Sequence, residues 1–179
     1  MLDINHAVAF TTVMLGLLVA HEVADHWVQT HYEANRKGEQ SPEGRTACLS
    51  HVLSYTFTTV LFAGGIVLLF NLHITLLGFI AGQIISAVTH YVADRRYPIE
   101  WIVQKLERTA GKYSFYKLGR PRKIYAYVVP TTEKVELCEA NGDVVSWDNP
   151  TLGTGAYALD QSWHKFWLFI AAIVMVVIP

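Results

Sequence analysis

The chain has 179 residues, of which 52% are hydrophobic and only 16% are charged, and its mean hydropathy is +0.27. A soluble domain of this size usually carries about a quarter charged residues, so the composition argues against a globular soluble enzyme. A formal net charge of −1 and a pI near 6.7 argue against a nucleic-acid partner. Cys48 and Cys138 lack the spacing of a metal-binding pair and are interpreted as free thiols.

Four apolar segments are long enough to cross the core of a bilayer, which needs roughly 20 helical residues. They are predicted as helices over residues 4–31, 46–70, 74–95 and 158–179. The first is expected to be retained, because no basic segment and no A-x-A cleavage motif mark it as a signal peptide. "NLH", residues 71–73, is so short that the second and third helices must be antiparallel neighbours. The predicted fold is an all-α membrane protein, an antiparallel bundle of four transmembrane helices.

The polar segment between the third and fourth helices is predicted to form a small cytoplasmic α+β insert. "PIEWIVQKLERTAG" begins with Pro98 and is interpreted as an amphipathic surface helix, with apolar residues at helical spacing: Ile99, Ile102, Val103 and Leu106. "KIYAYVV" and "KVELCEANGDVVSW" are typical of strands, the second a hairpin turning at Asn141-Gly142. The predicted organisation is residues 1–96 for the first three helices, 97–155 for the insert and 156–179 for the fourth helix.

Basic residues lie on one side of this arrangement. They occur between the first and second helices, in the insert and near the start of the fourth helix, whereas both termini and the "NLH" turn have none. The positive-inside rule then predicts a multi-pass protein of the inner (plasma) membrane, with the polar loops in the cytoplasm and both termini outside. The lipid bilayer is its expected partner, and homo-oligomerisation is left open.

Histidine and aspartate recur at a spacing of four residues, which places each pair on one helix face. The pairs are His21 and Asp25, His90 and Asp94, and Asp160 and His164, while the second helix contributes His51. In an up-down bundle, a rise of about 1.5 Å per residue brings all of them to one level just inside the cytoplasmic surface. A track of small residues, Gly78, Gly82 and Ser86, precedes His90 and should admit a close helix neighbour.

Ionisable groups inside a helical bundle are costly unless they are paired, which makes them functional candidates. Imidazoles and carboxylates together suit Zn²⁺, Mn²⁺ or Fe²⁺. We therefore predict a site for one or two divalent ions, Zn²⁺ first, with the ligands His21, Asp25, His51, His90, Asp94, Asp160 and His164. Gln29, Tyr55 and Gln161 are predicted to surround these ligands. The alternative is a metal-free hydrogen-bond network that locks the helices together.

The blocks "HEVADHWVQT", "SHVLSY", "THYVADRR" and "GTGAYALDQSWH" resemble the signature blocks of an uncharacterised family of small four-helix bacterial and phage membrane proteins, catalogued as a domain of unknown function. The resemblance covers all four helices. It implies that the matching histidine, aspartate and glutamine positions form the polar core of this chain. It implies no activity, and the insert 97–155 departs from the shorter members of the family.

Two classes of function follow from the sequence. The first is a metal-dependent hydrolase of a membrane-borne substrate, in which Asp25 is the candidate general base. The second is a non-enzymatic membrane protein, in which the polar cluster is a structural staple or an ion or proton relay, for instance in a phage-encoded modifier of the host membrane. A metal transporter is less favoured, because the outer halves of the helices carry only scattered threonines as polar lining.

Overall fold

The fold is known from a computed structural model that describes residues 3–119, 124–128, 135–139 and 154–179. The chain divides into two compact units. One comprises Met1–Ile99 and Gln161–Pro179, and the other comprises Glu100–Asp160. The candidate site lies in the first unit.

The first helix, α1, spans Ile4–Val23 and is capped by the carboxylate of Asp3. It continues as a wider π-helical turn over Ala24–Val28 and ends at Gln29, where ψ changes to 129°. The helix is therefore shorter than the predicted range to residue 31. Extended backbone at Thr30 caps a separate helix, α2, which spans His31–Arg36.

Two further long helices follow. Helix α3 spans Pro42–Leu69 and begins at the cap Ser41, with proline in its first turn. Helix α4 spans Leu76–Asp94 and begins at the cap Thr75. Both start and end close to the predicted positions.

Among the described residues, three helical segments are long and apolar enough to cross a membrane: 4–28, 42–69 and 76–94. The last helix, α8, spans Gly155–Val177 and is not among the three. Its N-terminal half contains the polar residues Asp160, Gln161, His164 and Lys165, which lower its hydropathy. The structure thus supports a helical membrane protein with three membrane-crossing candidates.

The apolar core of the first unit is built by α1, α3 and α8. Its fully buried members are Val13, Leu17, Ala63, Leu168, Ala172 and Met175. Many large apolar side chains on the long helices point outward instead, for example Leu15, Leu53, Phe57 and Ile84. Outward apolar side chains on long helices suit contact with lipid, where packing rather than water exclusion holds helices together.

Helices α4 and α8 approach closely at two glycines. A Cβ atom added at Gly82 would lie 2.8 Å from the carbonyl oxygen of Ala171, and one added at Gly78 would lie 2.7 Å from that of Met175. The side chain of Thr75 also donates to the carbonyl of Ile178 at 2.9 Å. The small-residue track of α4 therefore faces α8, and the missing Cβ atoms permit the contact.

The second unit holds short elements. Helix α5 spans Tyr97–Lys105, α6 spans Glu107–Ala110 and α7 spans Lys112–Tyr116. The Glu107 carboxylate accepts bonds from the first turn of α7, which lowers the pKa of Glu107. Strands β1, Ile124–Val128, and β2, Val135–Glu139, pair antiparallel with residue 124 opposite residue 139. The predicted turn at residues 141–142 lies outside the described residues.

Candidate metal centre

The C-terminal ends of α1 and α4 meet the N-terminal part of α3 and the middle of α8. They bring together six of the predicted ligands, which are buried or nearly so: His21, Asp25, His51, His90, Asp94 and His164. Residues separated by up to 143 positions in the chain thereby share one pocket in the first unit. The groups present could hold a metal ion.

Two imidazole nitrogens in this pocket lie against two carboxylate oxygens. The Nε2 atoms of His51 and His90 lie 3.0 Å apart. Nε2 of His51 lies 3.3 Å from Oδ1 of Asp25 and 3.3 Å from Oδ2 of Asp94. Nε2 of His90 lies 3.5 Å and 3.3 Å from the same two oxygens. Ligands bound tetrahedrally at about 2.0–2.1 Å from a zinc ion would be separated by about 3.3–3.4 Å, so the spacing of the two imidazole nitrogens from each carboxylate oxygen fits such a site.

The two carboxylate oxygens in this group lack ordinary hydrogen bonds. Oδ1 of Asp25 and Oδ2 of Asp94 are buried, and apart from the imidazoles of His51 and His90 neither has a donor of normal geometry in the described ranges. A buried carboxylate oxygen without a donor is costly, and such atoms are rare in folded proteins. Two of the four atoms are therefore carboxylate oxygens whose bonding potential is unsatisfied, and a bound cation would satisfy it.

Asp25 reaches the pocket from the π-helical turn. Its other carboxylate oxygen, Oδ2, lies 3.7 Å from Nδ1 of His21. Insertions that widen one helical turn are frequent at functional sites, because they change the direction of a side chain without ending the helix. The four-residue spacing predicted that His21 and Asp25 share a face, but it did not predict this turn.

Lys37 is a part of the centre that sequence reasoning missed. Its Nζ lies 2.7 Å from Oδ1 of Asp94, and both side chains are largely buried. Buried Arg95 donates hydrogen bonds to the backbone carbonyls of Lys37 and Glu39 and so fixes the segment that carries the lysine. The partners of the Arg95 guanidinium are therefore carbonyls within the protein. Asp94 therefore pairs with the ammonium group of Lys37 through Oδ1 and directs Oδ2 toward His51.

Glu33 joins α2 to α3 next to the pocket. Its carboxylate accepts bonds from Ser50 at 2.6 Å and from the backbone and hydroxyl of Thr30 at 2.9 Å. Burial raises the pKa of Glu33, but the hydrogen bonds from Ser50 and Thr30 outweigh it, so the pKa lies below its usual value. These hydrogen bonds fix the segment that leads into α3. In the sequence, the signal for this network is the helix-capping pattern of Thr30 followed three residues later by Glu33.

Tyr55 lies against the histidines of this pocket. Its ring stacks on His90 with centroids 3.7 Å apart, and its hydroxyl is hydrogen-bonded to Ser86 at 2.8 Å. One turn further into the bundle, Thr59 donates to Gln83 at 2.8 Å. These buried polar contacts orient the imidazole of His90 and tie α3 to α4.

A second group of imidazoles adjoins the first. The His90 ring lies 4.3 Å from that of His164 and 5.7 Å from that of His21, while the rings of His21 and His164 are 4.8 Å apart, measured between centroids. One ring nitrogen of each lies within 4.8 Å of the other two. His90 therefore belongs to both groups.

The remaining predicted site residues have different positions. Asp160 belongs to the second unit, so its role as a ligand stays a prediction. Gln161 is buried and approaches His21. Gln29 is half-buried at the residue where the π-helical turn ends. It has left the helix and no longer continues the face of Asp25, and its supporting role stays a prediction.

No protein-family model, no curated protein and no solved structure matches this chain. The function is therefore argued from the geometry of the pocket.

Proposed function

We propose that this protein is an integral membrane metalloprotein that binds a divalent cation between Asp25, His51, His90 and Asp94. The observation that carries the proposal is a pair of imidazole nitrogens 3.0 Å apart, each of which lies 3.3–3.5 Å from two carboxylate oxygens. Zn²⁺ fits best, since nitrogen and oxygen ligands at tetrahedral spacing are typical of zinc. Mn²⁺ and Fe²⁺ accept the same ligand types and remain the next candidates.

The charges in the pocket favour a cation over a metal-free network. Asp25 and Asp94 bring two carboxylates, and Lys37 is the lysine that reaches one of them. A divalent ion more than offsets the remaining negative charge without protonating an imidazole. A metal-free pocket would need a buried proton on an imidazole or a carboxylate to offset the same charge.

The surrounding architecture is proposed to be a bundle of four membrane-crossing helices, with α8 as the fourth. The packing of α8 against the glycines of α4 supports this arrangement. We propose that the insert of residues 97–155 lies in the cytoplasm with the other basic segments and that both termini lie outside. The lysines and arginines occur in those segments and not at the termini, which is the distribution that the positive-inside rule associates with this orientation. Kinship with the small bacterial and phage membrane proteins that the signature blocks resemble would fit this architecture.

We propose further that the centre hydrolyses a membrane-borne substrate. A divalent ion would supply Lewis-acid activation of water, which is the chemistry that such sites provide in hydrolases. Asp25 would help to hold the ion, and its Oδ2, which faces His21, is the oxygen that could accept a proton. Lys37 would hold the carboxylate of Asp94 in position. The alternative is a structural staple or proton relay, which the 3.0 Å contact between His51 and His90 favours.

Metal analysis of the purified protein tests the proposal. The protein is prepared without a polyhistidine tag, dialysed against Zn²⁺ and then against metal-free buffer, and its metal content is measured by mass spectrometry. We expect at least one zinc per chain in the wild type. His51→Ala and Asp94→Asn should each lower zinc affinity at least tenfold, because each removes a direct ligand.

His31→Ala is the matched control, since it removes an exposed imidazole on α2. It should retain the wild-type metal content. Zinc binding that is unchanged in His51→Ala and Asp94→Asn would contradict the proposed ligands. Wild-type protein free of zinc, manganese and iron after dialysis would favour the metal-free staple.

A further inference from the structure

The three imidazoles of His21, His90 and His164 are packed closely in the interior. All three side chains are at most 3% exposed, and the ring of His164 lies 4.3 Å from that of His90 and 4.8 Å from that of His21, between centroids. One nitrogen from each ring lies within 4.8 Å of the other two. The three rings are thus close enough to bind a single ion.

His90 has a free nitrogen to offer to this second group. Its Nε2 faces Asp25 and Asp94, whereas its Nδ1 is buried and has no hydrogen-bond partner in the part of the chain that the structure describes. A histidine bound to one metal normally donates its other N–H to a carboxylate, a carbonyl or water. His51 also lacks a partner at Nδ1, but His51 does not belong to the second group.

His21 is in a similar state. Its Nδ1 lies 3.7 Å from Oδ2 of Asp25, which is too long for a hydrogen bond. Gln161 is a hydrogen-bonding contact of this ring, and beyond it neither ring nitrogen has a partner of normal geometry within the described ranges. A buried imidazole with so few partners is costly, and a cation would satisfy it.

We propose that His21, His164 and Nδ1 of His90 form a second metal position, so that the imidazole of His90 bridges two divalent ions. This inference rests on the proposed function, because it requires an ion at Nε2 of His90. Binding at Nδ1 breaks the Nδ1–H bond, releases the proton to solvent and forms a nitrogen–metal bond. The resulting imidazolate supplies negative charge to a position whose other two ligands are neutral.

Copper substitution tests the bridge independently of any activity. The protein without its metal is titrated with Cu²⁺, the bound equivalents are measured by equilibrium dialysis, and the copper signal is recorded by electron paramagnetic resonance. We expect about two equivalents per chain, with a signal weaker than two isolated coppers would give, because an imidazolate bridge couples their spins. His21→Ala should bind about one equivalent and show the full signal of one isolated copper.

His26→Ala is the matched control, because His26 is an exposed histidine close to His21 in the chain. It should retain two coupled coppers. If gel filtration shows that His21→Ala does not fold, His164→Gln provides a second test. It should bind about one equivalent of copper fewer than the wild type.

Three outcomes would overturn the inference. If the wild type binds one equivalent and His21→Ala binds the same, there is no second position, but the proposed function stands. If two equivalents bind and give two full, uncoupled signals, His90 does not bridge them. If the wild type binds no metal at all, the proposed function fails and the bridge fails with it.

Discussion

The ion pair between Lys37 and Asp94 gives the most specific prediction about stability. Their side chains are 12% and 3% exposed, and Nζ lies 2.7 Å from Oδ1. Lys37→Met preserves most of the length and apolar volume of the side chain but removes its charge. Because it leaves a buried carboxylate without its cation, we expect a loss of about 3 kcal/mol in the free energy of unfolding, the lower end of the range for breaking a buried pair.

The measurement is reversible unfolding in mixed detergent micelles, followed by circular dichroism, with and without a chelator. The loss should be larger in the presence of chelator, because a bound divalent ion also offsets the charge of Asp94. The double variant Lys37→Met/Asp94→Asn should recover about 1–3 kcal/mol relative to additivity, since the two side chains are in direct contact.

Arg36→Met is the control, since Arg36 is exposed and its contact with Glu39 is 3.6 Å. A surface pair of this kind contributes about 0–1 kcal/mol. If Lys37→Met destabilised the protein no more than Arg36→Met does, the pair would not be the buried support of Asp94 that we describe.

Three further predictions concern packing, pH and metal removal. Gly82→Ala places a methyl group 2.8 Å from the carbonyl oxygen of Ala171, so we expect thermal unfolding to show a loss of about 1–3 kcal/mol in stability. Gly65→Ala, where a Cβ meets nothing within 4 Å, should be neutral or stabilising. Equal effects of the two substitutions would refute the close helix contact. The pKa of Glu33 is lower in the folded protein than in the unfolded chain. Its contribution to stability is therefore complete above the unfolded pKa and is lost as pH falls through the folded pKa. In Glu33→Gln the free energy of unfolding should depend less steeply on pH in that acidic window, and an unchanged slope would contradict this. Zinc present at about 100 times its Kd should stabilise the wild type by about 2.7 kcal/mol relative to chelated protein, and no shift on chelation would mean that zinc does not bind the folded state.

The sequence was sufficient to predict that the four buried histidines meet, because the four-residue spacing fixes a helix face and the alternation of helix direction fixes the depth. His21, His51, His90 and His164 come together for that reason. The contact of the Gly78 and Gly82 track with a neighbouring helix follows from the same kind of pattern.

Other features depend on tertiary contacts that have no local signal. Lys37 lies in a loop, and its position is set by Arg95, which is 58 residues away in the chain and binds the Lys37 carbonyl. The π-helical turn at Asp25 is likewise invisible to a periodicity of 3.6 residues, since a single wide turn leaves the apolar pattern of α1 intact. The early end of the first helix follows from the Thr30 and Glu33 cap, which competes with helix continuation.

X-ray absorption spectroscopy at the zinc edge, on zinc-loaded His21→Ala protein, tests the central claim most directly. This variant isolates the proposed position between Asp25, His51, His90 and Asp94. The account predicts about four nitrogen or oxygen neighbours at about 2.0–2.1 Å, with the outer-shell scattering of two imidazoles. A spectrum of zinc surrounded by six waters, or one without imidazole scattering, would contradict it.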